Sequence, residues 1–159
     1  MELYFLRHAI AADEAPDGSG DAGRRLTKEG AAKMKVAARG LRRLGVQVDA
    51  LLSSPLARTH ETAQIVAREL GPELHLSDAL APGCDVARLF ELLAEHRGAE
   101  RVMLVGHEPD FSALVGELTG GSRIVLKKGG LARVDIEVLE PGAGTLVWLL
   151  PPRALREAD

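Results

Sequence analysis

Cysteine is nearly absent. Cys84 stands alone in 159 residues, so no internal disulfide can form and no cysteine-based zinc site can exist. Aromatic residues are scarce as well, at 3 %, and the core must be built from Ala, Val and Leu. Neither sign of charge dominates: 20 Lys+Arg against 23 Asp+Glu leave a net charge of −3, which argues against a dedicated nucleic-acid binder. No stretch approaches the ~18 apolar residues of a membrane span. The opening Met1–Arg7 segment carries an acid where a secretory signal wants base, and Arg7 cuts its apolar run short. No membrane association is expected, and the cytoplasm is the expected location.

What remains is an ordinary globular composition, 46 % hydrophobic and 27 % charged. The length suits one domain, expected over residues 1–150, with 151–159 as a C-terminal tail on the surface. A domain of this size hides roughly 68–70 % of its unfolded surface and needs neither disulfide nor structural metal to fold.

Short, fully apolar runs at Leu3–Leu6, Ala50–Leu52 and Val102–Val105 read as buried strands, with a further strand expected at Glu73–Leu76. Between them, apolar residues recur at three- and four-residue spacing. Lys28–Leu44 is an amphipathic helix with Thr27 as its N-cap and Gly45 as its stop. A second helix is expected to start at Pro55 with Ser54 as its cap. Further helices are marked by Val86 to Leu93 and by Phe111 to Leu118. The last forty residues suggest strands at Arg123–Leu126, Ala132–Val138 and Thr145–Leu150. Strands alternating with helices predict an α/β class fold, a mostly parallel central sheet sandwiched between helices.

Three polar segments follow directly on these strands: Arg7-His8, Ser53-Ser54-Pro55 and Gly106-His107. In open α/β sheets ligands bind at the carboxyl ends of the strands, so all three should share one edge. Arg58 falls in the first turn of the helix after Pro55, where backbone N–H groups already favour an anion. Two guanidinium groups, two imidazoles and two helix N-termini would converge, and no carboxylate leaves a strand end with them. That inventory fits a phosphoryl group, because arginine forks match phosphate oxygens. A plain anion clamp would not need histidines. A neutral imidazole can attack phosphorus and form a phosphohistidine that water then hydrolyses. Residue type alone leaves open which of His8 and His107 attacks.

Leu6-Arg7-His8-Ala9 resembles the Arg-His-Gly/Ala signature of the histidine phosphatase superfamily, the phosphoglycerate mutase-like proteins. The likeness extends to Arg25-Leu26-Thr27 with Gly30, to Ser53-Ser54-Pro55-Leu56-Ala57-Arg58-Thr59 with Thr62-Ala63, and to Val105-Gly106-His107-Glu108-Pro109. The small size and the Leu80-Ala81-Pro82-Gly83 segment are most similar to the SixA-type phosphohistidine phosphatases of bacteria. The resemblance implies a three-layer α/β/α sandwich without a large cap subdomain. It implies His8 as the phosphorylated nucleophile, Arg7 and Arg58 as ligands of the phosphoryl oxygens, and His107 as a hydrogen-bond donor completing the pocket. Larger members carry a glutamate proton donor where this chain has Pro82. The gap suits a phosphohistidine substrate, whose imidazole can be protonated before it leaves, and it is unfavourable for sugar phosphates. Glu108 is the first substitute proton donor to consider, with the loop acids Asp17 and Asp21 behind it. The roughly twenty residues between Leu80 and Arg101 allow a turn and one helix, so the pocket should be open to a phosphorylated side chain on a folded protein.

The expected activity is therefore a metal-independent phosphatase with no cofactor, acting on a phosphorylated protein partner. Small phosphoesters are the alternative substrate, and a non-catalytic phosphate-binding module the alternative of another class. A di-histidine metal site at His8 and His107 lacks evident carboxylate ligands, and the arginines would repel a cation. Gly18-Ser19-Gly20-Asp21-Ala22-Gly23 spells a dinucleotide fingerprint but no strand runs into it. The loop Ala11–Gly23 is better read as a flap near the site. His60, His75 and His96 read as structural or surface residues. The basic residues between Arg24 and Arg43 read mostly as a solvated helix face, with part of it, in a second reading, a docking surface for an acidic partner.

Overall fold

A computed structural model describes residues 1–159. Six strands form one sheet in the order β3-β2-β4-β1-β5-β6. They are β1 (Glu2–Arg7), β2 (Ala50–Ser53), β3 (Leu74–Leu76), β4 (Arg101–Gly106), β5 (Leu131–Ile136) and β6 (Gly144–Leu150). The first four run parallel, while β5 and β6 add antiparallel pairs at one side. The helices are α1 (Lys28–Arg43), α2 (Ala57–Leu70), α3 (Val86–Glu95), α4 (Asp110–Leu118) and α5 (Pro152–Glu157). Together they make the expected α/β/α sandwich, and residues 81–100 contribute only a turn and α3.

The two-residue period of β1 explains why its run is apolar throughout. Leu3 and Phe5 pack on one face among Leu89 and Leu93 of α3 and Phe111 of α4. Tyr4 and Leu6 pack on the other among Met34 and Leu41 of α1 and Val66 of α2. Both faces are covered, so neither can carry polar side chains. Gly106 ends β4 because a Cβ there would lie 2.4 Å from the Phe111 ring; that close approach presses the chain leaving β4 against α4.

Connection order then creates the crevice. The chain leaves β1 into α1 on one face, and leaves its neighbour β4 into α4 on the other. The carboxyl ends of β1 and β4 therefore flank a point where two helices depart in opposite directions, the usual place for a ligand in such a sheet. Main-chain bonds continue the pairing one residue past the strands: His8 N–H donates to Gly106 O at 3.1 Å, and Ser54 N–H to Val105 O at 3.0 Å.

Three local expectations are corrected. Arg123–Leu126 is not a strand; Val125 is 75 % exposed, and Leu126 spends its N–H on Ser112 Oγ and its carbonyl on the Arg7 side chain instead of on a ladder. The second helix starts at Ala57, two residues later than expected, with Leu56 at the N-cap position and no side-chain cap there; Ser54 Oγ accepts from Leu56 N–H at 3.4 Å and more closely from His107 at 2.8 Å. Residues 151–159 are not a surface extension. Pro152 opens α5, Leu155 is fully buried, and its carbonyl rests so close to Gly40 of α1 that a Cβ there would meet it at 1.8 Å. Burying one such leucine is worth about 1.5–3 kcal/mol, which makes this segment part of the core. By contrast, Thr27 caps α1 as expected, its Oγ1 accepting from Gly30 N–H at 2.9 Å. No helix is long and apolar enough to cross a membrane.

Candidate active site

His8 leaves β1 with its side chain 7 % exposed. Its Nδ1 lies 2.7 Å from the Ala9 carbonyl oxygen. A carbonyl only accepts, so Nδ1 must hold the proton, and in the neutral ring Nε2 carries the free lone pair. Burial keeps that ring neutral. It pushes the His8 pKa down to about 3; the charges of Arg58 and Arg7 and the His107 ring add to this, and the Ala9 hydrogen bond opposes it. Ala9 is itself fixed, its N–H donating to Thr62 Oγ1 at 3.1 Å while Thr62 Oγ1 donates to Arg58 O at 2.7 Å. The start of α2 is thereby tied to the exit of β1.

Facing His8 is His107, 3 % exposed, with ring centroids 5.6 Å apart. Arg58 Nη2 lies 3.3 Å from His107 Nδ1 and can only donate, so Nδ1 accepts and Nε2–H donates to Ser54 Oγ at 2.8 Å. Burial, then the Arg58 charge, lowers the His107 pKa to about 4. Both imidazoles are thus neutral at pH 7. Arg7 sends Nη1 to Leu126 O at 3.0 Å, while its buried Nε has no partner. Burial lowers the Arg7 guanidinium below its ordinary value, and the Glu108 charge opposes that.

The structure therefore brings Arg7, His8, Arg58 and His107 to one edge, as the strand order requires. It also brings Asp21, considered from sequence only as a fallback proton donor, into direct contact with Arg58. Asp21, in a short 3-10 turn over Asp21–Gly23, accepts from Arg58 Nη2 at 2.9 Å, and its carbonyl accepts from Arg58 Nη1 at 2.8 Å. Arg24 binds the same carboxyl at 2.8 Å. Arg24 foremost, with Arg58 behind it, holds Asp21 below the usual carboxylate range. It is an anion on an anion-binding group.

The other acids are committed elsewhere. Glu108 accepts from Ser112 N–H at 3.0 Å and Ser112 Oγ at 2.6 Å, sealing the start of α4. Asp17 accepts from Ser19 at the exposed loop tip. Pro82 sits in a turn that Asp110 pins to α4 through Gly83 N–H and Cys84 N–H. His60 turns to Gln64, and His75 and His96 pair with each other at 5.8 Å. No group of three or more His, Cys, Asp or Glu side chains could hold a metal ion. Sequence reading missed the Asp21 contact and the Ser54–His107 bond. Asp21 lies in a loop without periodicity, and Ser54 had a ready alternative as a helix cap.

Two guanidinium groups, Arg58 buried and Arg7 partly so, with an oriented, uncharged imidazole can bind a tetrahedral oxyanion and attack its centre. Known proteins resemble this chain along most of its length. Residues 3–81 match the family model described as histidine phosphatase superfamily (branch 1). An uncharacterized protein of Picosynechococcus sp. is 38 % identical over 137 residues, 82 % of each chain. The phosphohistidine phosphatase SixA of Escherichia coli K12 is 28 % identical over 167 residues, 99 % of this chain and 98 % of that one. The solved structure of the protein histidine phosphatase SixA complexed with tungstate superposes with a TM-score of 0.86 at 28 % identity, covering 98 % of this chain and 99 % of the other.

Proposed function

Since the chain belongs to the histidine phosphatase superfamily, we propose that it is a metal-independent phosphatase that uses His8 as nucleophile and removes phosphate from histidine on a protein partner. The observation that carries the reading is the Nδ1–H bond from His8 to Ala9 O at 2.7 Å, which leaves the Nε2 lone pair free for attack in a ring that burial keeps neutral. In the first step Nε2 bonds to phosphorus, the substrate's phosphorus–nitrogen bond breaks, and the leaving imidazole carries away the proton it already holds. In the second, water attacks phosphorus, the bond to Nε2 breaks, one water proton passes to solvent, and phosphate departs.

Arg7 and Arg58 hold the equatorial oxygens through both steps, and positioning with charge stabilisation supplies most of the rate. His107 orients Arg58 through Nδ1, and its Nε2–H, now on Ser54, is the donor for which a phosphoryl oxygen competes. Glu108 keeps its place at α4 and is not asked for a proton. A protonated imidazole needs no general acid on leaving, whereas an alkoxide without one loses about 10²–10⁴-fold. The similarity to proteins named as phosphohistidine phosphatases supports the same substrate class.

Rapid-quench mixing with a peptide carrying radiolabelled phosphohistidine tests this. Acid-labile label should appear on His8 within one turnover and decay to inorganic phosphate. Equal or faster turnover of a sugar phosphate would make small phosphoesters the substrate. Binding without any label on the protein would reduce the site to a phosphate-binding module.

A further inference from the structure

Reaching Ala9, the residue after His8, a groove of about 160 Å³ lies on the α1 side that the chemistry above does not use. Its floor is Ala9, Met34 and Ala37, all nearly fully buried. Its rim is Lys33, Lys128 and Arg156, and no acid lines it. Lys33 shares its charge with Glu29, but neither Lys128 nor Arg156 makes an ion pair. The floor is preformed: α1 sits so tightly on the chain after His8 that a Cβ on Gly30 would meet Ile10 O at 2.1 Å.

One wall of the groove is the backbone that carries the nucleophile. Ala9 follows His8, and Gly129 N–H donates to both Arg7 O and His8 O at 3.1 Å. The segment that supplies Lys128 also supplies Leu126 O to Arg7 and presents Val125 at 75 % exposure. The rim and the pocket therefore share one segment of chain. Ligand cavities for small molecules run to about 300–1,000 Å³, so this one is the size for a single apolar side chain. The unpaired cations around it call for acids on either side of that anchor.

We infer that this groove is the docking site for the partner, and that it takes an acidic segment of the phosphorylated protein, with one apolar side chain on Met34 and Ala37 and flanking carboxylates on Lys128 and Arg156. The inference rests on the proposed protein-phosphohistidine substrate. It extends that reading by naming the chemistry that selects one phosphoprotein over another. At about 3.3–3.6 Å per extended residue, a segment leaving the groove beside Ala9 needs few residues to place its phosphohistidine over His8. Charge at the rim also raises the encounter rate with an acidic partner, an effect that salt removes.

Short peptides carrying one phosphohistidine flanked by Glu-Leu-Glu, by Ser-Ala-Ser or by Lys-Leu-Lys separate the possibilities, with phosphoramidate as a small phosphorus–nitrogen substrate. The acidic peptide should show a KM at least tenfold below the other two at low salt, and the difference should shrink at 0.5 M salt, an ionic strength whose screening length is about 4 Å. The double variant Lys128→Glu, Arg156→Glu should raise that KM tenfold or more while leaving kcat and phosphoramidate turnover unchanged. Equal KM values for the three peptides, or an equal loss on phosphoramidate, would overturn the docking site. Fluorescence anisotropy with the unphosphorylated Glu-Leu-Glu peptide keeps the two readings apart. Loss of its binding in the double variant supports the groove even if no phosphohistidine peptide is hydrolysed, an outcome that would sink the substrate and leave the groove standing.

Discussion

On the β1 side of the pocket the contacts that fix the site are main-chain ones: Nδ1 of His8 on the Ala9 carbonyl, His8 N–H on Gly106 O, and Gly129 N–H on the carbonyls of Arg7 and His8. Across the pocket they run from side chain to side chain, Ser54 to His107 to Arg58 to Asp21, ending on a residue whose side chain is 56 % exposed. A wall built on the backbone moves only if the sheet moves, and it presents the lone pair in one direction. A wall built from side chains can yield to an incoming anion. The proposed nucleophile and clamp thus differ in stiffness, which suits a group that would have to be aimed and another that would have to admit and release phosphate.

Substitution separates the two walls. His8→Ala removes the proposed nucleophile and its Nδ1–H bond to Ala9 O but keeps the bonds of His8 N–H and Gly129 N–H, so turnover of a phosphohistidine peptide should fall at least about 10⁴-fold with the thermal midpoint within a few degrees of wild type. A variant that unfolds instead would show that the β1 wall depends on the imidazole. Arg58→Ala should cost about 10²–10³-fold in kcat/KM, the scale of one lost transition-state donor. It should also free the Ala11–Gly23 loop for proteolysis, because Asp21 loses its anchor. Arg58→Lys should restore little of the rate, since a point charge cannot reproduce the guanidinium fork that holds Asp21 twice.

The same contrast explains what could be read from the chain beforehand. The β1 wall is local: a buried strand ending in Arg7-His8 predicts both the element and the place where its side chains emerge, and the parallel order brings β4 and His107 alongside. Arg58 was legible because the first turn of a helix after β2 is itself an anion site. Asp21 was not, since 37 residues separate it from Arg58 and its loop has neither apolar period nor cap. Ser54 was seen as a cap, and it does accept from Leu56 N–H, but its closer bond to His107 joins residues 53 apart in the chain and leaves no local pattern. Residues 123–126 offer a strand's short apolar run, Ile124-Val125-Leu126, without a ladder to join, the converse error. Residues 151–159 read as a surface tail, whereas Pro152, a proline at the first helical position, starts α5.

Acid should act on both walls at once. His8 and His107, at about 3 and about 4, lie below the ordinary histidine value of about 6.5. If attack needs neutral His8, kcat/KM should not fall between pH 7 and about 5 and should fall below that; a loss of activity centred near 6.5 would mean the imidazoles are not held neutral. Stability has its own sign. From about pH 6.5 down towards 4 the unfolded chain binds protons that the folded chain refuses, so stability drops as pH falls through that window and is unaffected above it. Replacing both histidines by Gln should flatten the thermal midpoint over the same range.

The smallest effect concerns the exposed end of the side-chain wall. Asp21 occupies with a carboxylate the guanidinium that a phosphoryl group needs, so substrate and product must each displace it. Its exposure limits what the pair is worth, since ion pairs reaching solvent contribute roughly 0.2–1 kcal/mol. Asp21→Asn removes the competing charge and keeps the shape. Inhibition by inorganic phosphate should therefore tighten about two- to fivefold, the affinity change that such an energy allows, and the substrate KM should fall with it. Salt should narrow the gap between variant and wild type. The β1 wall predicts no such response, because nothing charged must leave His8 before attack. If phosphate inhibits Asp21→Asn less strongly than wild type, the carboxylate is holding Arg58 in place for phosphate instead of competing with it, and the yielding wall is as rigid as the other.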